Sequence, residues 1–361
     1  MHSFSSYFPI IDRYTYLNTP ASGLLSKPVL DFRRQHDLLF FEGGSLFKEK
    51  QGDFLAEVRE KVGQLFNCAP NRVALVPNFS YGFNTLLEGI AVNNTVLLLE
   101  EDYPSVAWPF ISRDFEVNYV PIDAHLEDRI ADAFAKAAPD IFAFSIVQYI
   151  SGIKIDLDFI KDLKKQYPST IFLADGTQFL GAAVFDFDTS GIDVLGGSCY
   201  KWMNAGYGNG IFLFKPEIVD RVAPKTTGFN ALQGKYKPQE GSFIGHFEPG
   251  HQDTLNYGSL GTAIDFINTI GMSTIERRIN ELKEEAKTAL SARGLLDEAV
   301  VGRKQHSSIF NIKGDATLVA TLNEQDIICV QRGAGVRAGF HYFNSPKGLN
   351  KLLLALQTSK R

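Results

Sequence analysis

Apolar positions recur at helical spacing over residues 53–66 (Phe54, Leu55, Val58, Val62, Leu65 and Phe66), which predicts a helix with Asp53 as its N-cap. Beyond it the pattern changes to short apolar runs separated by helical stretches. Runs at 72–76, 95–99, 117–121, 141–145, 171–174, 192–195 and 211–214 read as strands. Stretches beginning at Ser80 and near Ser105, and those over 126–137 and 157–166, read as helices. Strands that are apolar throughout, rather than alternating, are buried on both faces. Together with the intervening helices they predict an α/β fold whose mostly parallel sheet is covered on both sides.

Between 225 and 250 Gly, Pro, Lys and Gln gather and the periodicity fades, marking a loop and a domain boundary. Helices over 257–270 and 275–292, strands at 308–312, 327–330 and 335–338, and a helix after Pro346 follow. They describe a smaller α+β domain. The expected division is an N-terminal arm at 1–22, a large domain at 23–240 and a small C-terminal domain at 241–361.

A chain of 361 residues with 45% hydrophobic content suffices for this arrangement. The formal net charge of -5, with no basic run interleaved with aromatics, argues against a nucleic-acid partner. Apolar runs fall far short of the roughly 20 residues of a membrane span. Residues 1–16 lack the basic start and apolar middle of a secretory signal, so a soluble, cytoplasmic protein is expected. Three cysteines without a CxxC pair argue against a disulfide framework and a thiolate metal site, and seven histidines without HExxH argue against a metal.

Two polar clusters end predicted strands where open α/β sheets gather their ligands: AspGlyThrGln at 175–178 and SerCysTyrLysTrp at 198–202. A buried carboxylate such as Asp175 can keep a pyridine nitrogen protonated. A lysine of lowered pKa, such as Lys201, can hold a carbonyl cofactor covalently and carry a proton. Pyridoxal 5'-phosphate (PLP) needs both groups. The GlyTyrGlyAsnGly run at 206–210 precedes a strand and lacks the strand-before, helix-after context of a dinucleotide site, so it reads as a turn.

Residues 172–210 resemble the class V aminotransferases, PLP-dependent enzymes of fold type I whose relatives include cysteine desulfurases and isopenicillin N epimerase. The resemblance extends from the loop at 16–23 to Asn344. It implies that Lys201 carries PLP as a Schiff base, Asp175 holds the ring nitrogen and Gln178 donates to the phenolic oxygen. Ser80 and the backbone of Phe79, at a strand end that opens a helix, would take the phosphate with Ser198 and Tyr200. Tyr200 stands where the family often has His. Tyr103 would stack on the ring, and the segment 147–157 would lie beneath it.

GlyValArgAlaGlyPheHisTyrPheAsn at 335–344 resembles the family's closing motif, in which Arg337 grips the substrate α-carboxylate through two parallel donors. Asn18 and Ser22 would line the pocket mouth. His251 replaces the threonine with which many relatives reach the partner subunit's phosphate. The resemblance further implies a homodimer with active sites at the subunit interface. The leading reaction is amino-group transfer from an amino acid to a keto acid; the alternative is a PLP-dependent lyase, epimerase or desulfurase. Cys329 lies inside an apolar run, so the exposed nucleophilic cysteine of a desulfurase is missing. A non-catalytic binding module is opposed by the intact set Asp175, Gln178, Lys201 and Arg337.

Overall fold

The computed structural model describes residues 4–231 and 242–358. An N-terminal arm carries the short strand β1 (Thr15–Tyr16). The central sheet has seven strands: β2 (Val73–Val76), β3 (Thr95–Leu99), β4 (Glu116–Val120), β5 (Ile141–Ser145), β6 (Ile171–Asp175), β7 (Val194–Ser198) and β8 (Gly210–Phe214). Their order is β2-β8-β7-β6-β5-β3-β4, with β8 antiparallel to both neighbours and every other pair parallel. The continuous apolar runs follow from this topology, because every strand except the edge strand β4 is covered on both faces. β4 instead exposes Glu116 and Asn118, which blunt a free edge.

Phe142, Phe144, Phe172 and Phe212 are fully buried around the sheet. Each contributes on the order of 1.5–3 kcal/mol. In register, Asp175 pairs with Ser145 on one side and Gly196 on the other, so the carboxyl ends of β5, β6 and β7 lie together.

The helix expected at 53–66 spans Gln51–Phe66, with Lys50 at the N-cap and no side-chain cap. Asp53 is therefore not the cap. It sits in the first turn, where its charge complements the helix dipole. The periodicity also missed the helix Lys27–Gly43, capped by Ser26, because Leu38, Leu39, Phe40 and Phe41 on it are exposed and blur the apolar stripe. The helix Thr254–Ile270 packs closely on both: a side chain at Gly258 would run into the rings of Phe32 and Phe54.

The C-terminal part contains β9 (Ile309–Lys313), β10 (Ile327–Ile328), β11 (Val330–Arg332) and β12 (Gly335–Gly339). β11, β12 and β9 form an antiparallel sheet, while β10 leaves it at Cys329 to pair with β1. The run expected as one strand at 327–330 thus serves two sheets. Leu17 donates its N–H to Ile328 and accepts from Gly339, which fixes the arm between them. The expected division at 240/241 lies outside the described residues. No described helix is long and apolar enough to cross a membrane.

Candidate active site

β6 ends at Asp175, which is buried and accepts from the Thr177 N–H at 2.7 Å. Thr177 in turn accepts the Ser198 N–H through Oγ1 at 3.1 Å, locking the turn after β6 to the end of β7. Behind them Asp102 accepts from the N–H groups of Tyr103 (2.7 Å) and Ser145 (2.8 Å). Burial raises Asp175 above the ordinary carboxylate range, against the opposing pull of the Thr177 hydrogen bonds and the Lys201 charge.

Lys201 lies in the turn between β7 and β8 and is also buried. Burial lowers its pKa, Asp175 resists that shift, and Arg337 and Arg332 add to it. Its Nζ stands 5.8 Å from the ring centre of Tyr103 and 5.6 Å from that of Tyr200. No described carboxylate lies within 4.0 Å of this amine. Asp175 and Lys201 share one cleft with Tyr103, Tyr149, Thr177 and Gln178.

Gln178 donates to the Pro20 carbonyl at 2.9 Å and accepts from Trp202 Nε1 at 2.7 Å, which fixes the amide while leaving its second N–H available. At the phosphate end predicted from sequence, Phe79 N–H donates to Ser198 Oγ at 3.0 Å, so the Ser198 hydroxyl proton is left for another acceptor. Ser80 Oγ donates to Ser105 at 2.7 Å. The cap of the helix Phe79–Glu88 is Asn78, whose side chain accepts from Tyr81 N–H at 2.9 Å. Tyr200 stacks on Tyr207 at 4.6 Å, and burial pushes its hydroxyl up to about 12.

Arg337 reaches the cleft from β12. It is buried, donates to the Tyr149 carbonyl at 2.7 Å and leaves Nε without a partner. Burial, aided by Arg332, pushes it down to about 10. Tyr149 also meets Tyr103 edge-on at 5.3 Å and so links Arg337 on β12 to the turn after β3. His341, in the same motif, faces the Trp202 carbonyl with Nε2 at 2.8 Å and accepts the Tyr342 N–H on Nδ1 at 2.8 Å. Burial pushes it down to about 3 and keeps it neutral, so it ties the C-terminal motif to the lysine turn rather than carrying charge.

The arm closes the other side. Asn18 bridges to Gly339 with its Oδ1 buried and unpartnered, and Ser22 accepts from the Tyr207 hydroxyl at 2.9 Å. Gly23 donates to the Tyr200 carbonyl at 3.1 Å, and a Cβ on it would stand 1.9 Å from the Lys201 carbonyl oxygen. Gly23→Ala is therefore expected to displace the lysine turn, destabilise the protein by about 1–3 kcal/mol and weaken PLP binding. Wild-type melting temperature and PLP affinity in the variant would show that the arm yields without cost.

Of the residues expected at the site, Asp175, Gln178, Lys201 and Tyr103 line the cleft; Arg337 is joined to it through Tyr149 and Ser198 through Thr177, and Phe79 is hydrogen-bonded to Ser198. His251 is exposed, lies against Phe229 at 5.9 Å and does not line the cleft. Glycine-rich 206–210 is a turn, with positive φ at Gly206 and Gly208. Asp102 and Thr177 escaped the sequence reading, whereas Tyr149 falls in the segment 147–157 expected beneath the ring. Among the described residues no cluster of His, Cys, Asp and Glu could hold a metal.

A buried carboxyl and a buried amine share the cleft without an ion-pair contact, flanked by aromatic rings and by hydroxyls at a helix start. That donor set suits a flat, anionic carbonyl cofactor. The class V aminotransferase family model matches residues 15–351, and the chain belongs to that family. It has the fold of type I PLP-dependent enzymes, and its cofactor is pyridoxal 5'-phosphate.

Among curated relatives, an uncharacterized aminotransferase, YcbU, of Bacillus subtilis (strain 168) is 22% identical over 347 residues, covering 94% of this chain and 92% of the relative. Among solved structures, the apo cysteine desulfurase from Thermococcus onnurineus NA1 superposes with a TM-score of 0.87 at 18% identity, covering 99% and 98% of the two chains. C-DES, in a lysine-to-alanine mutant with glycine covalently linked to the PLP cofactor, superposes with a TM-score of 0.86 at 19% identity over 98% of each chain.

Proposed function

We propose that this enzyme moves the amino group of an amino acid to a keto acid. The observation that carries the reading is the buried Lys201 amine, sharing a cleft with the buried Asp175 carboxyl and free of any ion-pair contact. PLP, when bound, supplies the electron sink for an amino acid's α-carbon. Lys201 anchors it and then moves the α-proton as a neutral amine, a state favoured by its burial. Asp175 holds the proton on the ring nitrogen. Gln178 and Ser198, each with a free donor, would hold the oxygen-bearing substituents; Ser80 and the Phe79 N–H would join them on giving up Ser105 and Ser198 Oγ, and Tyr103 would lie against the ring. Arg337, whose Nε is unpaired, orients the α-carboxylate. Asn18 and Ser22 border the mouth.

The buried cysteines favour this reading over desulfuration. Cys68, Cys199 and Cys329 are all at most 6% exposed, and burial pushes the Cys329 thiol up to about 11. A persulfide-forming cysteine needs an accessible thiolate. A C–S lyase or epimerase, which needs no such thiol, is the second reading; for the lyase it is supported by the likeness to C-DES, which is described as a cystine C–S lyase.

We further infer a cytoplasmic homodimer, in which His251 would act across subunits rather than in its own cleft. The exposed Phe40, Phe41 (86%) and Leu46 support an interface on that face.

The test is to add single amino acids, without keto acid, to the PLP-loaded protein. One equivalent of keto acid per bound cofactor, without ammonia, is expected for the substrate. Catalytic release of ammonia, sulfide or racemised amino acid would establish the second reading instead.

A further inference from the structure

A second guanidinium stands beside Arg337. Across the β11–β12 hairpin Val330 pairs with Arg337 and Arg332 with Gly335. Directly opposed residues share a face, as do residues two apart, so Arg332 and Arg337 project from the same side of the sheet. Gly335 leaves the place opposite Arg332 open, and Asn311 occupies it: a Cβ at Gly335 would stand 2.1 Å from Asn311 Oδ1. Asn311 Nδ2 donates to the Arg332 carbonyl at 2.8 Å, which fixes the main chain there. The hairpin tip rests against Ile150, the residue after Tyr149, since a Cβ at Gly333 would touch Ile150 Cγ2 at 3.0 Å. The Arg332 side chain is left exposed, with no described carboxylate within 4.0 Å. Its charge nevertheless acts on both Arg337 and Lys201.

We propose that Arg332 is a specificity residue that takes a second carboxylate, so that the preferred amino donor is an acidic amino acid. The proposal rests on the reading of the cleft as an amino acid site. Arg337 holds the α-carboxylate and Arg332 the side-chain carboxylate, each through guanidinium donors matched to two oxygens. Two cations on one face of the hairpin, with no described carboxylate as counter-ion, repel each other. A substrate with two carboxylates relieves that repulsion at both ends, whereas an amide of the same shape relieves it at one.

The experiment uses PLP-loaded protein. Binding is read from the cofactor's absorbance with 2-methylaspartate and 2-aminoisobutyrate, which lack an α-hydrogen and cannot turn over. Turnover is compared between aspartate and asparagine and between glutamate and glutamine. The wild type is expected to prefer acid over amide by at least about tenfold, and 2-methylaspartate over 2-aminoisobutyrate by a similar factor. Both ratios should fall about tenfold in Arg332→Gln and recover in part in Arg332→Lys. A wild type without acid preference, or an Arg332→Gln variant that keeps it, overturns the proposal while amino acid binding itself still shows in the spectrum. No spectral response to any amino acid overturns the amino acid reading and this proposal with it.

Discussion

Lys201→Ala is expected to abolish covalent capture of PLP and to lower turnover by at least about a thousandfold, because one side chain supplies both the anchor and the proton carrier. Borohydride reduction followed by mass spectrometry reads the first effect directly. A cofactor still fixed to the alanine variant would place the anchor on another lysine. The wild-type pH profile of capture checks the electrostatics of the same residue. Only the neutral amine attacks a carbonyl, and burial with the nearby guanidiniums favours that neutral form, with Asp175 opposing. The midpoint should therefore lie below the ordinary lysine value of about 10.4. Arg337→Ala removes one of the cations and should move the midpoint upward; an unmoved midpoint would show that Arg337 does not act on this amine.

The parts of this site legible in the sequence are those whose chemistry is local. The wholly apolar runs mark the strands because both sheet faces are covered; Asp175 closes such a run, and Gln178 and Lys201 stand just after the ends of β6 and β7. What escaped depends on register between distant segments. Thr177 matters only because β6 and β7 align so that its hydroxyl meets the Ser198 N–H. Asp102 matters because its carboxylate reaches the end of β5.

Strand pairing alone brings Arg332 onto the face of Arg337, and no spacing rule reveals that Gly335 opposes it. β1 is two residues long, too short for periodicity to register, yet the arm it begins delivers Pro20 to Gln178 and Gly23 to the lysine turn. At the helix after β2, either Asn78 or Ser80 could cap by type, and backbone geometry decided for Asn78.

Asp175→Asn should separate the cost of the site from its use. The amide keeps an oxygen for the Thr177 N–H but cannot carry the charge that holds a proton on the pyridine nitrogen, so turnover should drop by about 10²–10³. Stability of the cofactor-free protein should move the other way. The folded-state pKa of Asp175 lies above its unfolded value, so the folded protein binds the extra proton; its stability contribution is present below the unfolded pKa and is lost as pH rises through the folded one. At pH 7 the wild type has lost that contribution, whereas the asparagine variant never titrates. The variant should therefore melt roughly 3 °C higher at pH 7, with the gap shrinking as pH falls and closing only below the ordinary Asp value of about 3.9, where Asp175 is protonated in both states. A gap that does not vary with pH would mean that the buried carboxyl is not the titrating group. Unchanged turnover would mean that it does not hold the ring nitrogen. The predicted combination, a slower but more stable protein, is the signature of a charge buried for chemistry rather than for folding.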